Sequence, residues 1–237
     1  NKHYPVSMHL GNIAFKRSSI YKNGYQILEN FVDEAVCNDL RQYLRNPTSG
    51  GTAANQWDEE ELMQPALIKV AKRLFEWQNH YLHEQMCLVP RSVHFADIPE
   101  GSKTISQGWH FDFEQPYNSL IFMIHLNTSG AGTFILDSKR SMVVASDCDY
   151  LGFHPKRRVS SLDEINGFDS DFTPLFTPAN ATTTIVFQPG RAMHRHRMSQ
   201  SGNKNILTIY ASAIPKEFPC SNGTFVTHGI NTIDEMI

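Results

Sequence analysis

The chain has 237 residues, a length that suits one domain with a sizeable buried interior. Its formal net charge is −3 and it has no tract of like charges, which argues against nucleic acid or an anionic membrane surface as a partner. No apolar run approaches the roughly 20 residues that a membrane-spanning helix needs.

The cysteines are scattered along the chain, without a Cys-x-x-Cys pair, at Cys37, Cys87, Cys148 and Cys220. This usage is typical of a reducing compartment and argues against both a disulfide framework and a structural zinc knot. We therefore expect a cytoplasmic protein.

The first third of the chain predicts one or two short N-terminal strands and two supporting helices. The expected elements are a strand at Tyr25–Leu28, a helix capped by Asp33, a loop over residues 46–56, and a helix over residues 65–83. In the first helix, Val36 and Leu40 are four residues apart and so share one apolar face. Pro65 suits the first turn of the second helix.

From residue 91 onwards, short segments rich in Val, Ile, Phe and Thr alternate with clusters of Gly, Pro, Asn and Ser, a pattern typical of strands joined by turns. The predicted strands cover residues 92–98, 119–126, 133–136, 142–145, 182–187 and 205–213. Helices followed by many short strands indicate an α+β, mainly β protein, with a double-stranded β-helix (jelly-roll) core buttressed by N-terminal helices. We expect one domain over residues 1–237, with supporting elements in 1–90 and the core in 91–237.

A long polar segment covers residues 146–178 and interrupts the predicted core. A loop of this length inside a compact domain is usually either functional or disordered. We predict an insertion that closes over a bound substrate as a mobile lid and shields the reaction from water.

Two stretches carry side chains suited to metal chemistry. His110 and Asp112 are two residues apart, so on a strand both would project from one face. Such a pair alone is a weak signal, but a second stretch provides His194 and, ten residues later, Lys204. Two imidazoles and one carboxylate form the triad that holds non-haem Fe(II) and leaves coordination positions open.

With these motifs the chain resembles the Fe(II)/2-oxoglutarate-dependent dioxygenase superfamily, in particular its phytanoyl-CoA hydroxylase-like and prolyl hydroxylase-like members. The resemblance covers the C-terminal two-thirds. The motifs that carry it are His110-Phe-Asp112, Gly130-Ala-Gly-Thr-Phe134, His194-Arg195 and Lys204-Asn-Ile-Leu-Thr208. It implies an enzyme that uses Fe(II), 2-oxoglutarate and O2 to hydroxylate a C–H bond, with release of succinate and CO2.

The resemblance also implies roles for individual residues. The implied catalytic residues, which are also the metal ligands, are His110, Asp112 and His194. Lys204 would bind the far carboxylate of 2-oxoglutarate together with Thr208, which is four residues away and on the same face of a strand. His125, where the family often has a tyrosine, and Thr133 would complete the cosubstrate site.

The sequence leaves the third ligand and the substrate open. His196 could replace His194, since residues two apart on a strand share a face. We favour His194, because ten residues also separate ligand and cation in collagen-type prolyl hydroxylases. The substrate is predicted to be a small molecule enclosed by the lid. The alternatives are a protein or peptide side chain, and a non-catalytic jelly-roll module that binds a ligand without turnover.

Overall fold

A computed structural model describes residues 14–42, 53–56, 64–101, 108–112, 119–151, 154–155, 159–197 and 201–216. Its helices are α1 (Ser19–Asn23), α2 (Glu34–Arg41), α3 (Pro65–Tyr81) and α4 (Ser138–Asp147). Its strands are β1 (Tyr25–Leu28), β2 (Ala53–Gln56), β3 (Met86–Ile98), β4 (Ser119–His125), β5 (Gly132–Ile135), β6 (Tyr150–Leu151), β7 (His154–Pro155), β8 (Leu175–Pro178), β9 (Thr184–Phe187), β10 (His194–Arg197) and β11 (Lys204–Pro215).

Antiparallel strands form two main sheets. The larger sheet has the order β1-β9-β4-β11-β3-β2 and the smaller has the order β10-β5-β8, while β6 and β7 pair separately. The two sheets face each other, since Ile121, Met123 and Ile206 of the larger sheet pack with Ile135 of the smaller in one buried cluster. The prediction of a mainly β protein is therefore confirmed. Each sheet has an inner face that lines the space between the two sheets.

The helices cover the outer face of the larger sheet. Successive residues of a strand point to opposite sides, so Phe122 and Leu207 pack against the helices while their neighbours face inward. Asp33 caps α2 as predicted, accepting a hydrogen bond from the Val36 N–H at 2.8 Å. The Trp77 ring of α3 meets the Phe122 ring edge to face, with centroids 5.1 Å apart. No helix among the described residues is long and apolar enough to cross a membrane.

Two local predictions are wrong. The strand predicted over residues 142–145 belongs to α4, because Asp137 caps a helix there, accepting a backbone hydrogen bond from its first turn at 2.9 Å. Ser141 and Val144 are both buried, three residues apart, which is a helical spacing. Within the predicted loop of residues 46–56, the described part, Ala53–Gln56, forms β2 and pairs with β3; residues 46–52 lie outside the described part.

Much of the predicted lid packs against the rest of the domain from residue 159 onwards, while its closure over a substrate stays a prediction. Val159 forms a β-bridge with Trp109, Ile165 is buried in the same cluster as Trp109, and β8 pairs with β5. Val159 and Ile165 are therefore buried against Trp109 on the outer face of the smaller sheet, whereas β8 adds a strand to that sheet. Residues 152–153 and 156–158 of the predicted lid lie outside the described residues.

Gly132, within the glycine-rich motif, allows β5 and β8 to approach closely. A Cβ atom at this position would overlap the Phe176 ring and lie 2.7 Å from the Thr177 carbonyl oxygen. We expect Gly132→Ala to lower the free energy of unfolding by about 1–3 kcal/mol, since the ring or the strand must shift. Gly108→Ala is the matched control, because its nearest contact would be an ordinary 3.5 Å. Equal losses for both variants in urea denaturation would contradict the prediction.

Candidate metal and cosubstrate site

Three predicted site residues come together on the inner face of the smaller sheet. His110 and His194 lie side by side, since each backbone N–H donates to the carbonyl of the other at 3.1 Å, and their ring centroids are 4.3 Å apart. Asp112 places Oδ1 at 3.6 Å from His110 Nε2 and Oδ2 at 3.5 Å from His194 Nε2. One ligand atom from each residue lies within 4.8 Å of the other two.

Backbone carbonyls orient both imidazoles. His110 Nδ1 lies 2.8 Å from the Gly108 oxygen, and His194 Nδ1 lies 3.5 Å from the Ala192 oxygen. Because a carbonyl only accepts, the 2.8 Å contact places the His110 ring proton on Nδ1 and leaves its Nε2 lone pair facing Asp112; the longer contact of His194 favours the same arrangement. Burial, reinforced by His110, lowers the pKa of His194 to about 4. His194 is therefore neutral near pH 7, the form in which an imidazole coordinates metal.

The donor set and its spacing fit one metal ion. The nitrogen-to-carboxylate distances of 3.5 and 3.6 Å exceed those of good hydrogen bonds. Two ligands that are each about 2.1 Å from one ion would lie about 3 to 4 Å apart, close to the observed separations. Two imidazoles and one carboxylate, with positions left open, define the class of non-haem Fe(II) sites.

Lys204 is a buried cation at the start of β11. Its side chain is only 2% exposed and shares the inward side of the strand with Ile206. Among the described residues it forms no ion pair with a carboxylate, and its Nζ lies 3.1 Å from His196 Nδ1. Burial lowers the pKa of Lys204 to about 7. The position therefore suits an anionic ligand, which would supply the counter-charge.

Side-chain amides fix the start of β11. The Asn205 backbone N–H donates to Asn127 Oδ1 at 2.9 Å, and Asn205 Nδ2 donates to Asp97 Oδ1 at 2.7 Å. Asn127 Nδ2 in turn donates to the Asn203 carbonyl at 2.7 Å. These bonds tie the residues on either side of Lys204 to the end of β3 and to the turn after β4, so the backbone that carries the cation is held in place.

His125 ends β4 on the same inner face as Ile121 and Met123. It is 0% exposed, and neither ring nitrogen forms a hydrogen bond within the described part of the chain. Burial and the charge of Lys204 lower the pKa of His125 to about 3, and only the Thr183 carbonyl opposes this shift. A buried polar group without a partner is costly, so His125 also suits a polar ligand between the sheets.

The two predicted threonines line the same space from opposite sheets. Thr208 lies on the inward side of β11, four residues from Lys204, and is half-buried. Thr133 is fully buried on β5, opposite His196, and its hydroxyl donates to Met123 Sδ at 3.7 Å. No hydrogen bond joins Lys204 to either threonine or to His125 among the described side chains. These four residues therefore line the same space between the sheets without a hydrogen bond from Lys204 to the other three.

Arg195, which the sequence identifies only as part of the His194-Arg195 motif, has surroundings that the motif does not predict. Alternation along β10 correctly turns the side chain outward, but its guanidinium lies 4.7 Å from the Phe134 ring centroid and 5.4 Å from that of Trp109. Its Nη1 also donates to the Ser160 carbonyl at 3.1 Å. Arg195 therefore braces Trp109, the neighbour of His110, from outside. These partners come from distant segments, so no local pattern signals them.

Comparison with protein-family models and with curated proteins gives no match, whereas solved structures do match. The epimerase SnoN, in complex with Fe3+, α-ketoglutarate and nogalamycin RO, has a TM-score of 0.54 and 11% identity, over 95% of this chain and 94% of its own. HygX from Streptomyces hygroscopicus, with nickel and 2-oxoglutarate bound, has a TM-score of 0.52 and 12% identity, over 86% and 89%.

A prolyl hydroxylase from Trichoplax adhaerens, in complex with a peptide fragment of the hypoxia inducible factor oxygen degradation domain, has a TM-score of 0.50 and 12% identity, over 87% of this chain and 90% of its own. At 11 to 12% identity, the likeness to these three proteins extends to the fold, which this chain shares with them over most of its length.

Proposed function

We propose that this protein is an Fe(II)- and 2-oxoglutarate-dependent oxygenase that hydroxylates a C–H bond of a small-molecule substrate. The observation that carries the proposal is the combination of two features on the surfaces that enclose one space. These are the His110, Asp112 and His194 cluster and the buried Lys204, which has no carboxylate partner among the described residues. SnoN with Fe3+ and α-ketoglutarate, and HygX with nickel and 2-oxoglutarate, support the choice of cofactors.

In this proposal the cluster of two imidazoles and one carboxylate holds Fe(II), and Lys204 with Thr208 binds the far carboxylate of 2-oxoglutarate. His125 and Thr133 line the cosubstrate site. When bound, iron with 2-oxoglutarate and O2 supplies the oxidising chemistry, coupled to conversion of 2-oxoglutarate to succinate and CO2. We take the two facing sheets as the core of a double-stranded β-helix, within a single domain over residues 1–237.

Burial divides the cluster into a closed side and an open side. The His194 side chain is 2% exposed, and its ring centroid lies 4.6 Å from that of Phe187. This packing excludes water from that side of the cluster. The Asp112 side chain is 34% exposed and that of His110 is 23% exposed. This openness supports substrate approach from the side of Asp112 and His110, with the buried Lys204 left to the cosubstrate.

The side chains on the inner faces of β3 and β11 favour a small organic molecule as the substrate. His94 of β3 is half-buried and is paired with Thr208, so it lies next to the proposed cosubstrate site. The His94 ring meets the Tyr210 ring edge to face at 5.2 Å. Mixed aromatic and polar walls of this kind are typical of small-molecule pockets. The SnoN complex with nogalamycin RO favours the same reading, while the Trichoplax complex favours a peptide side chain as the alternative.

The test is succinate release from 2-oxoglutarate by the Fe(II)-loaded protein in air, with a panel of small metabolites and of proline-containing peptides. We expect release that depends on Fe(II) and is stimulated by at least one small molecule, with a hydroxylated product. Stimulation by peptides alone would move the substrate to the alternative class, and an epimerised product would replace hydroxylation. Ligand binding with no succinate under any condition would contradict the oxygenase and favour a non-catalytic module.

We expect the affinity for 2-oxoglutarate to fall as the pH rises above about 7. The pKa of Lys204 in the ligand-free site is about 7, so this side chain is charged below that pH and neutral above it. A bound carboxylate favours the charged form, and binding at higher pH must therefore take up a proton. The apparent Kd should rise by up to about tenfold per pH unit.

The control for this pH dependence is Lys204→Arg, because a guanidinium stays charged throughout the range. Its Kd should change little between about pH 7 and pH 9. A wild-type Kd that is equally flat in isothermal titration calorimetry would contradict the assignment of this pH dependence to Lys204.

A further inference from the structure

The structure assigns a role to His196: we infer that it is a positioning residue that holds the Lys204 ammonium for the far carboxylate of 2-oxoglutarate. It thereby makes the site selective for a keto acid that carries a second carboxylate. The inference rests on the proposed function. The sequence alone identifies His196 only as a possible replacement for His194.

The contact between the two side chains defines the donor and the acceptor. Lys204 Nζ and His196 Nδ1 are 3.1 Å apart. In its charged form, which a bound carboxylate favours, Lys204 can only donate, so His196 Nδ1 then accepts and the ring proton lies on Nε2. His196 is thus held in the opposite tautomer to His110 and His194, whose Nδ1 atoms face backbone carbonyls.

One strand presents both histidines to the inner surface, in different roles. His194 and His196 are two residues apart on β10 and project from the same side. Their ring centroids are 6.2 Å apart and their planes are nearly perpendicular, at 87°. Of the two, His194 has the ligand atom within the 4.8 Å cluster, and His196 reaches the lysine instead. The fully buried Thr133 opposes His196 on β5.

A neutral acceptor orients the cation without cancelling its charge. A lysine side chain is a flexible four-carbon stem and needs a fixed partner to aim its ammonium group. A carboxylate partner would neutralise Lys204 and weaken its attraction for an anion, whereas an imidazole acceptor leaves the full charge in place. One N–H is used by His196, so two others remain for a ligand.

Selectivity for a dicarboxylate follows from this arrangement. The buried Lys204 has no carboxylate partner among the described residues, so the second carboxylate of 2-oxoglutarate would complete an ion pair. A keto acid of equal length without that group, 2-oxopentanoate, would leave the cation unpaired, which is costly in a buried site. Binding of 2-oxopentanoate should therefore not depend on the orientation of the Lys204 ammonium group.

The test uses two variants of nearly equal shape, His196→Asn and His196→Leu. The Asn side chain can place an acceptor oxygen near the position of Nδ1, whereas Leu has no acceptor. Calorimetry on the nickel-loaded protein, which needs no turnover, gives the Kd of 2-oxoglutarate and of 2-oxopentanoate, and metal analysis gives the bound nickel. We expect His196→Leu to weaken 2-oxoglutarate binding by about tenfold, as for loss of one charge-assisted hydrogen bond.

In the same variant, binding of 2-oxopentanoate and of nickel should stay as in the wild type, and His196→Asn should restore 2-oxoglutarate binding to within about threefold. Unchanged 2-oxoglutarate binding in His196→Leu, or equal weakening of both keto acids, would overturn the positioning role. Loss of nickel would make His196 a metal ligand and also overturn it. A wild type that binds nickel but neither keto acid would refute the proposed function itself, and the inference with it.

Discussion

Asp112→Ala should weaken Fe(II) binding by more than about 100-fold and abolish succinate release. Removing a metal ligand should lower metal affinity by more than the roughly 10- to 100-fold typical of losing a group that only hydrogen-bonds to a ligand. Asp112 contributes the carboxylate of the cluster, and its two oxygens lie 3.6 and 3.5 Å from the Nε2 atoms of His110 and His194. Metal content after dialysis against a fixed Fe(II) concentration, without oxygen, measures the effect.

Asp169→Ala is the matched control for this substitution. Asp169 is 58% exposed and faces Arg140 at 3.8 Å, away from the cluster, so its loss should leave the metal content unchanged. His194→Ala should resemble Asp112→Ala. Metal content near that of the wild type in the Asp112 variant would remove this residue from the triad.

Lys204→Met should raise the Kd for 2-oxoglutarate by at least about 30-fold, because loss of a buried, charged partner of a carboxylate costs about 2–5 kcal/mol. The same variant should raise the free energy of unfolding of the ligand-free protein. The pKa of Lys204 in the fold, about 7, lies below its ordinary value of 10.5, so near neutral pH the fold disfavours the charged form that an unfolded chain keeps. Methionine fills a similar volume without that charge.

Lys216→Met provides the control, since Lys216 is exposed at the end of the described chain and should affect neither quantity. Calorimetry and urea denaturation give the two readouts. Weaker binding together with a more stable fold is the expected pair of results. A Lys204→Met variant that is less stable and binds 2-oxoglutarate normally would assign this lysine a structural role.

The sequence could predict the residues of the candidate site because strand alternation decides which side chains share a face. His110 and Asp112 are two residues apart, as are His194 and His196, so each pair was expected on one side. Alternation does not predict which residues of neighbouring strands lie opposite each other, because that depends on the register of the strands. The backbone bond between His110 and His194 sets that register, and it places His196 beside Lys204.

Elements were mispredicted where local chemistry or distant partners outweighed composition. Val143 and Val144 suggest a strand, but the Asp137 cap and the buried Ser141 stabilise a helix. β8 is short, ends in a proline and has Leu175 exposed, so its sequence lacks the alternating pattern of a strand. It is a strand because it pairs with β5, which is distant in the sequence. The segment after residue 159 was predicted as a polar loop because Ser, Asp, Asn and Gly separate its apolar residues.

A shared metal and cosubstrate site is tested most directly by an anaerobic titration of the metal-free protein with Fe(II) and 2-oxoglutarate, followed in the visible spectrum. We expect a weak charge-transfer band that needs both components, saturates at one iron per chain, and is absent from Asp112→Ala. Lys204→Met should need a higher 2-oxoglutarate concentration to reach the same band. Iron bound in equal amount with no band at saturating 2-oxoglutarate would contradict a shared metal and cosubstrate site.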